Sequence, residues 1–228
     1  MSASRNLVLA WHGTRHPDGP VIPELVRRRV ENLLPGTRVV NGWVDLLEPE
    51  LSDVLAQTGD ATVVPCFLAA GYHVRHDIPE AAEASGHHVG VTRHIGGLLV
   101  DAVIERLAEA GGPGDAVVLA AAGSKRPNAL AEIDAVAAEL EERLGVPVVP
   151  GNVYMARPSV ADAVARLRTE GYRDVSVASY LLSHGLWSER IAGLGVRIAE
   201  PIGDHPLIPQ VIARLAAPRG ATVGSLAA

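Results

Sequence analysis

The sequence Val8-Leu-Ala-Trp-His-Gly-Thr-Arg-His-Pro17 returns 110 residues later as Val118-Leu-Ala-Ala-Ala-Gly-Ser-Lys-Arg-Pro127. Each copy is an apolar run, then a turn with a glycine, then a proline, which is typical of a strand leading into a helix. Three blocks in one order at a nearly constant offset predict a duplicated unit of about half of the chain. The other two blocks are 42–49, which matches 151–158, and 66–73, which matches 180–187.

Apolar runs and helical patterns alternate along the chain, as expected for parallel sheets with helices on both faces. The predicted fold class is α/β, with two duplicated domains, residues 1–112 and 113–228, related by a pseudo-two-fold axis around a cleft. The segment Gly111-Gly-Pro-Gly114 has the composition of a linker between them. The predicted strands are 6–11, 38–44, 61–68, 88–92, 115–121, 146–153, 174–182 and 196–199. The predicted helices are 20–34, 49–57, 79–85, 96–110, 127–144, 158–170, 187–192 and 206–216.

Composition excludes several classes of function. The 228 residues carry a net charge of −6 and only 4% aromatic residues, which argues against nucleic acid as a partner. The longest uncharged apolar run, 61–74, contains Pro65 and is shorter than the ~18 residues of a membrane span, so no membrane partner is expected. A lone Cys66 and the short apolar run at 7–11 favour a cytoplasmic protein without disulfides. Nearly all cations are Arg, which suits an acidic small ligand.

The repeat separates packing residues from residues that could do chemistry. Glycines, prolines and apolar strand residues recur in both copies, whereas three polar residues of the first copy do not. If folding required these three, the second copy would need them as well. We therefore predict that the first half carries the functional site. The second half is predicted to be a degenerate copy that only encloses this site. The three differences are His12 against Ala122, Asp45 against Tyr154, and His73 against Trp187.

His12, Asp45 and His73 each follow one of the first three predicted strands. Ligands of open α/β sheets bind outside the carboxyl ends of the strands, so the three side chains are expected to share one crevice. Two imidazoles and a carboxylate suit Fe, Co, Ni or Zn with open coordination positions. The same groups equally suit acid–base catalysis.

The remaining histidines and arginines are interpreted from their positions. Arg15 and Arg75 flank the two site histidines and could hold ligand carboxylates, or they could be solvated surface charges. His205 precedes Pro206 and is expected to begin a helix. Four further histidines are expected to be solvated loop or strand-edge residues: His16, His87, His88 and His94.

Four segments resemble the sirohydrochlorin chelatase family, the small class II chelatases of siroheme and cobalamin synthesis. The resemblance covers nearly the whole chain, and the duplicated form with a degenerate second half is similar to the long members of that family. The third segment, Phe-Leu-Ala-Ala-Gly-Tyr-His-Val-Arg-His-Asp-Ile-Pro, is the most specific. The segments are 12–17, 43–49, 67–79 and 201–207.

The resemblance implies roles for individual residues. His12 corresponds to the base and metal contact, and His73 to a second metal ligand. Asp45 stands where many members have Glu, one methylene longer, and is interpreted as the third metal ligand. The segment before His73 is expected to lie against the macrocycle. The resemblance implies substrate contacts for Ala69, Ala70, Gly71 and Tyr72. Their positions beside the two histidines add Arg15, Arg75 and His76 to the expected substrate-binding residues.

The expected function is insertion of a divalent metal into sirohydrochlorin, with Fe²⁺ favoured, to make siroheme. The metal is a substrate, no tightly bound cofactor is expected, and the duplication predicts a monomer. One alternative is a cobaltochelatase of cobalamin synthesis, and another is a non-catalytic tetrapyrrole or metal carrier. A histidine phosphatase would need Arg immediately before His12, where Trp11 stands.

Overall fold

The computed structural model describes residues 5–217, without the side chains of Arg5 and Trp187. The ends of the two predicted domains, 1–4 and 218–228, lie outside the described residues, as does the Trp187 side chain that replaces His73 in the repeat. The strands are β1 (Arg5–Trp11), β2 (Thr37–Trp43), β3 (Ala61–Pro65), β4 (Val89–Val91), β5 (Ala116–Ala121), β6 (Val148–Asn152), β7 (Val175–Tyr180) and β8 (Arg197–Ile198). The helices are α1 (Val21–Leu33), α2 (Leu51–Thr58), α3 (Tyr72–Arg75), α4 (Asp77–Ala84), α5 (Val100–Glu109), α6 (Pro127–Leu144), α7 (Val160–Thr169), α8 (Leu186–Ile191) and α9 (Leu207–Ala216).

The strands form two four-stranded parallel sheets of the same topology, with the orders β2-β1-β3-β4 and β6-β5-β7-β8. Parallel neighbours need crossover connections, and helices supply them in both sheets. Every residue of β5 is buried, which explains why the central strands read as unbroken apolar runs. The predicted α/β class and the duplication are confirmed.

Helix starts follow the prolines of the sequence. Pro127 is the first residue of α6, and α1 and α9 begin one residue after Pro20 and Pro206. The fixed φ of proline suits a first helical turn. His205 accepts a hydrogen bond at Nδ1 from the Leu207 N–H (3.2 Å), so the prediction that it begins a helix is confirmed.

The core has three apolar clusters, two on the outer faces of the sheets and a large one between them. The central cluster draws residues from both halves, among them Leu9 and Leu119. It forms because the last helix of each half packs on the other half: α5 contacts β7 and α6, whereas α9 contacts β3 and α1. Helices do cover both faces of each sheet, but one covering helix comes from the other repeat, which the sequence prediction did not include.

Polar contacts also join the halves. The Nε2 atom of His205 lies 2.9 Å from a carboxylate oxygen of Glu105 on α5, and the His205 side chain is buried. Arg106, the next residue, donates to the Ile202 carbonyl and to the Asp204 carboxylate. Among the helices of residues 5–217, none is long and apolar enough to cross a membrane.

Candidate metal-binding site

Three side chains meet at the carboxyl end of the first sheet. His12 follows β1, Asp45 follows β2, and His73 lies in the short helix α3 after β3. One ligand atom from each residue lies within 4.8 Å of the ligand atoms of the other two. The structure thus brings together the three residues that the repeat comparison singled out.

A glycine lets the turn after β1 approach the turn after β2. The Gly13 N–H donates to the Asp45 carbonyl (3.1 Å), and a Cβ atom on Gly13 would lie 2.0 Å from that oxygen. Gly123 has the same relationship with the Tyr154 carbonyl, at 1.9 Å. A side chain at either glycine would displace the backbone. This explains why the glycine recurs in both copies although the site residues around it do not.

Hydrogen bonds orient both imidazoles. The Nδ1 atom of His73 lies 2.5 Å from Oδ2 of Asp77, one turn further along the chain, and Nδ1 of His12 lies 2.6 Å from the Gly13 carbonyl. A carboxylate and a carbonyl are acceptors, so we assign the Nδ1 protons to these bonds. Each Nε2 atom then carries the lone pair that a metal requires. The ring centroids are 4.8 Å apart, with an angle of 75° between the ring planes.

Aromatic side chains surround the histidines. The Phe67 ring centroid lies 6.4 Å from that of His12 and 6.2 Å from that of His73. Tyr72 stacks on His76, with 4.7 Å between centroids and 26° between planes, and about half of the Tyr72 side chain is exposed. Tyr72 and His76 therefore form a stacked pair beside His73.

The second half holds the loop that carries His73. A carboxylate oxygen of Glu132, on α6, accepts a hydrogen bond from the Ala70 N–H (2.7 Å) and lies 3.1 Å from His94 Nε2. The Tyr180 hydroxyl, on β7, donates to the Leu68 carbonyl (3.0 Å). Burial and the nearby carboxylate of Glu132 raise the pKa of Tyr180 well above its usual value, so the hydroxyl keeps its proton. Two second-half side chains thus fix the backbone just before His73.

Each half also touches the other at the rim of the site. The guanidinium of Arg126 lies over the Tyr72 ring, 5.3 Å from its centroid. The equivalent turn of the first half contacts the second half in the same way: His16 Nε2 lies 3.8 Å from a carboxylate oxygen of Glu189, on α8. The turns after β1 and β5 therefore each face the helix that follows the third strand of the other half.

The family model of CbiX matches this chain twice, over residues 6–110 and 116–218. The chain belongs to the CbiX family. The two matches coincide with the two sheets. Each half of the chain therefore corresponds to one copy of the family's unit.

Among the relatives of this CbiX family member is the sirohydrochlorin cobaltochelatase of Methanopyrus kandleri, 32% identical over 79 residues. That match covers 32% of this chain and 55% of the relative, so the chain spans about half the length of the curated relative. The structure of SirB from Bacillus subtilis with Fe³⁺ superimposes with a TM-score of 0.78 at 21% identity, covering 93% of this chain and 94% of SirB. The sirohydrochlorin chelatase SirB from Bacillus subtilis subspecies spizizenii in complex with cobalt has a TM-score of 0.74 at 19% identity, with 93% and 94% covered. At these identities the two structures show the shared fold.

The other predicted substrate-binding residues lie around the cluster in different environments. Arg15 is exposed beside His12, and Ala69 and Gly71 are partly exposed. Ala70 is buried and its N–H is bound by Glu132, so its contacts are with the protein. Arg75 donates to the Ala70 carbonyl (3.3 Å) and lies 4.0 Å from Glu132.

Sequence reasoning missed Asp77, Glu132 and Tyr180. Asp77 could have been found from its spacing, because residues four apart on a helix face each other. The expectation that His94 is solvated was wrong, since its side chain is 16% exposed and pairs with Glu132. Cys66 follows β3 and is buried, and burial raises the pKa of its thiol.

Proposed function

We propose that the chain inserts a divalent metal ion into sirohydrochlorin. The observation that carries the proposal is the convergence of His12, Asp45 and His73, with the Nδ1 atoms of both histidines held by Gly13 and Asp77. The names of the relatives support the substrate, because sirohydrochlorin chelation appears in the names of the Methanopyrus protein and of one SirB structure.

The donor set suits delivery of a metal ion. Two neutral imidazoles and one carboxylate bind Fe²⁺ or Co²⁺ and leave coordination positions open for ring nitrogens. Ligands of a tetrahedral ion at about 2.1 Å stand about 3.4 Å apart. The ligand atoms here lie up to 4.8 Å apart, so side-chain rotation must bring them together around the ion. A loosely formed site can release the ion to the four ring nitrogens.

Insertion also requires removal of two pyrrole protons, which balances the charge of the incoming divalent ion. His12 is proposed as the base: as the ion leaves His12 for the ring nitrogens, Nε2 accepts one ring proton, because Nδ1 is engaged with the Gly13 carbonyl. The second ring proton passes to water. His73 and Asp45 are proposed to hold the ion over the ring face, with Asp77 fixing the orientation of His73. Tyr72, about half of which is exposed, and His76 stacked on it are proposed to contact the edge of the macrocycle.

The proposed metal is Fe²⁺, with Co²⁺ as the second candidate. The ligand types do not distinguish the two ions. Fe³⁺ is present in the SirB structure, whereas cobalt appears in the other SirB structure and in the function named for the Methanopyrus relative. We also propose that the chain works as a monomer, because its second half packs against the first as a second copy would in a dimer of single units.

An anaerobic absorbance assay tests the proposal. Protein, sirohydrochlorin and one of Fe²⁺, Co²⁺ or Ni²⁺ are mixed, and the rate of metal insertion is compared with the rate without protein. Acceleration, largest with Fe²⁺, is expected. A larger acceleration with Co²⁺ would replace the proposed metal. Tight binding of sirohydrochlorin without acceleration by any metal would contradict catalysis and leave a carrier.

A further inference from the structure

A pair of basic residues recurs in the two turns that follow β1 and β5. The first turn reads Thr14-Arg15-His16-Pro17 and the second reads Ser124-Lys125-Arg126-Pro127. The neighbouring position changes from His12 to Ala122, so metal-binding chemistry is lost from the second copy while the basic character is kept. Retention of charge in an otherwise degenerate turn suggests that the charge has a role in both halves.

Three of these side chains are Arg or Lys and have no counter-ion in the part of the chain that the structure describes. Arg15, Lys125 and Arg126 are exposed, and within residues 5–217 none of their side chains forms an ion pair. By contrast, Arg27 and Arg106 pair with carboxylates of their own or a neighbouring element. The chain has a net charge of −6, so three unneutralised cations in the turns that follow β1 and β5 stand out in an acidic protein.

The contacts of the two turns show which part of the opposite half each turn faces. Arg126 reaches across to Tyr72 beside His73. The turn at 14–17 reaches in the opposite direction, since the Cβ position of Gly185 is 3.7 Å from His16 Cβ. Three carboxylates lie near the turns: Asp18 and Glu189 are 3.9 Å and 3.8 Å from His16 nitrogen atoms, whereas Glu132 binds the Ala70 N–H.

We propose that Arg15 from the first half and Lys125 with Arg126 from the second form a basic rim that binds the carboxylates at the edge of a polyanionic macrocycle. The proposal rests on the proposed function and adds second-half residues to the substrate site. Guanidinium groups bind carboxylates through paired hydrogen bonds, and such charge-assisted bonds are stronger than neutral ones. The Tyr72 face holds the Arg126 guanidinium next to the helix that carries His73.

The test uses uroporphyrin, a stable macrocycle with eight carboxylates, and deuteroporphyrin, which has two. Binding is followed by porphyrin fluorescence for the full chain, for R15Q, for the double variant K125Q/R126Q and for the charge-preserving double variant K125R/R126K. R38Q is the matched control, because Arg38 is an exposed arginine near the amino end of β2 that forms no ion pair within residues 5–217. Thermal unfolding checks that each variant is folded.

K125Q/R126Q is expected to weaken uroporphyrin binding about tenfold or more, since hydrogen bonds to charged groups are lost. R15Q should weaken it less, because it removes one cation, and K125R/R126K should retain most of the affinity. Deuteroporphyrin binding should change little, and added salt should reduce wild-type binding more than variant binding. In the insertion assay the double neutral variant should raise KM for sirohydrochlorin more than it lowers kcat.

Uroporphyrin affinities of K125Q/R126Q and R15Q equal to those of wild type and R38Q would overturn the basic rim. If wild type still accelerates metal insertion in that case, only the basic rim fails. If wild type does not accelerate insertion but the neutral variants lose uroporphyrin affinity, the proposed catalysis fails and the basic rim stands.

Discussion

The carboxylate of Glu132 accepts a hydrogen bond from the backbone N–H of Ala70 at 2.7 Å, across the boundary between the two halves. Ala70 lies three residues before His73, so a second-half side chain fixes the segment that carries a proposed metal ligand. The same carboxylate lies 3.1 Å from His94 Nε2. The second half therefore does more than enclose the site, because its polar groups position the site residues of the first half.

Glu132→Ala is expected to lower kcat/KM for metal insertion about tenfold or more, because displacement of a catalytic group by ~1 Å has large effects. Glu132 does not touch the proposed ligand atoms, so the effect is one of position. Glu132→Gln keeps an oxygen that accepts from the Ala70 N–H and should restore much of the activity.

The visible spectrum of bound Co²⁺ reports whether the ligand geometry has changed in Glu132→Ala. Asp134→Ala, an exposed change on the same helix, is the matched control. A normal spectrum and normal kinetics in Glu132→Ala would show that the contact with Ala70 is only structural.

Asp77→Ala should weaken Co²⁺ binding by roughly tenfold to a hundredfold, as loss of a carboxylate behind a ligating imidazole typically does. In the wild-type chain His73 Nδ1 lies 2.5 Å from Asp77 Oδ2, and the variant removes this partner. Isothermal titration with Co²⁺ measures the change. Glu83→Ala, an exposed change on the same helix α4, serves as control, and equal affinities in both variants would refute the role of Asp77.

The two halves are expected to be unstable when separated, because α5 and α9 each pack on the opposite half. The division at residue 112 was predicted from the repeat and remains a prediction. Residues 1–112 and 113–228, produced separately, should show no cooperative urea unfolding, whereas their coexpression should restore it. Cooperative unfolding of either fragment alone would show that the exchanged helices are dispensable.

Stability should depend on pH through Glu24 in α1. Hydrogen bonds from Arg27 and Arg28 lower the pKa of Glu24 from 4.5 to about 2. A lowered folded-state pKa contributes stability above the unfolded value, which is lost as the pH falls from about 4.5 towards 2. The Glu24 side chain is 41% exposed, so screening limits each pair to about 0.5 kcal/mol.

Urea unfolding of Glu24→Gln at several pH values measures this contribution. The variant should be slightly less stable than wild type at pH 7, and the difference should shrink below pH 4.5. Glu142→Gln, an exposed helical change without a partner in the described residues, is the control. A difference that stays constant down to pH 3 would refute the assignment to Glu24.

Much of the fold was predictable because its signals are local. Central strands such as β5 are fully buried and read as unbroken apolar runs, and proline marks the starts of α1, α6 and α9. Helix α3 was missed because four residues show no periodicity. The exchange of α5 and α9 was missed because an amphipathic pattern shows which helix face is buried but not which sheet covers it.

The site was predictable where the two copies differ and not where it depends on distant contacts. His12, Asp45 and His73 stood out because Ala122, Tyr154 and Trp187 replace them. Nothing local to Glu132 indicates a bond to a residue 62 positions away. The repeat did offer a sequence signal for His94, because His205 lies 111 residues later, close to the offset of the other repeated blocks. Both histidines accept a hydrogen bond at Nδ1 from the backbone N–H two residues further along the chain.

The measurement that tests the central claim most directly is the anaerobic rate of metal insertion into sirohydrochlorin for His12→Ala and His73→Ala. The matched control is His88→Ala, an exposed histidine away from the site. We predict that both site variants fall to the rate without protein while remaining folded, and that His88→Ala keeps the wild-type rate. Wild-type rates in His12→Ala and His73→Ala would contradict the assignment of metal insertion to this site.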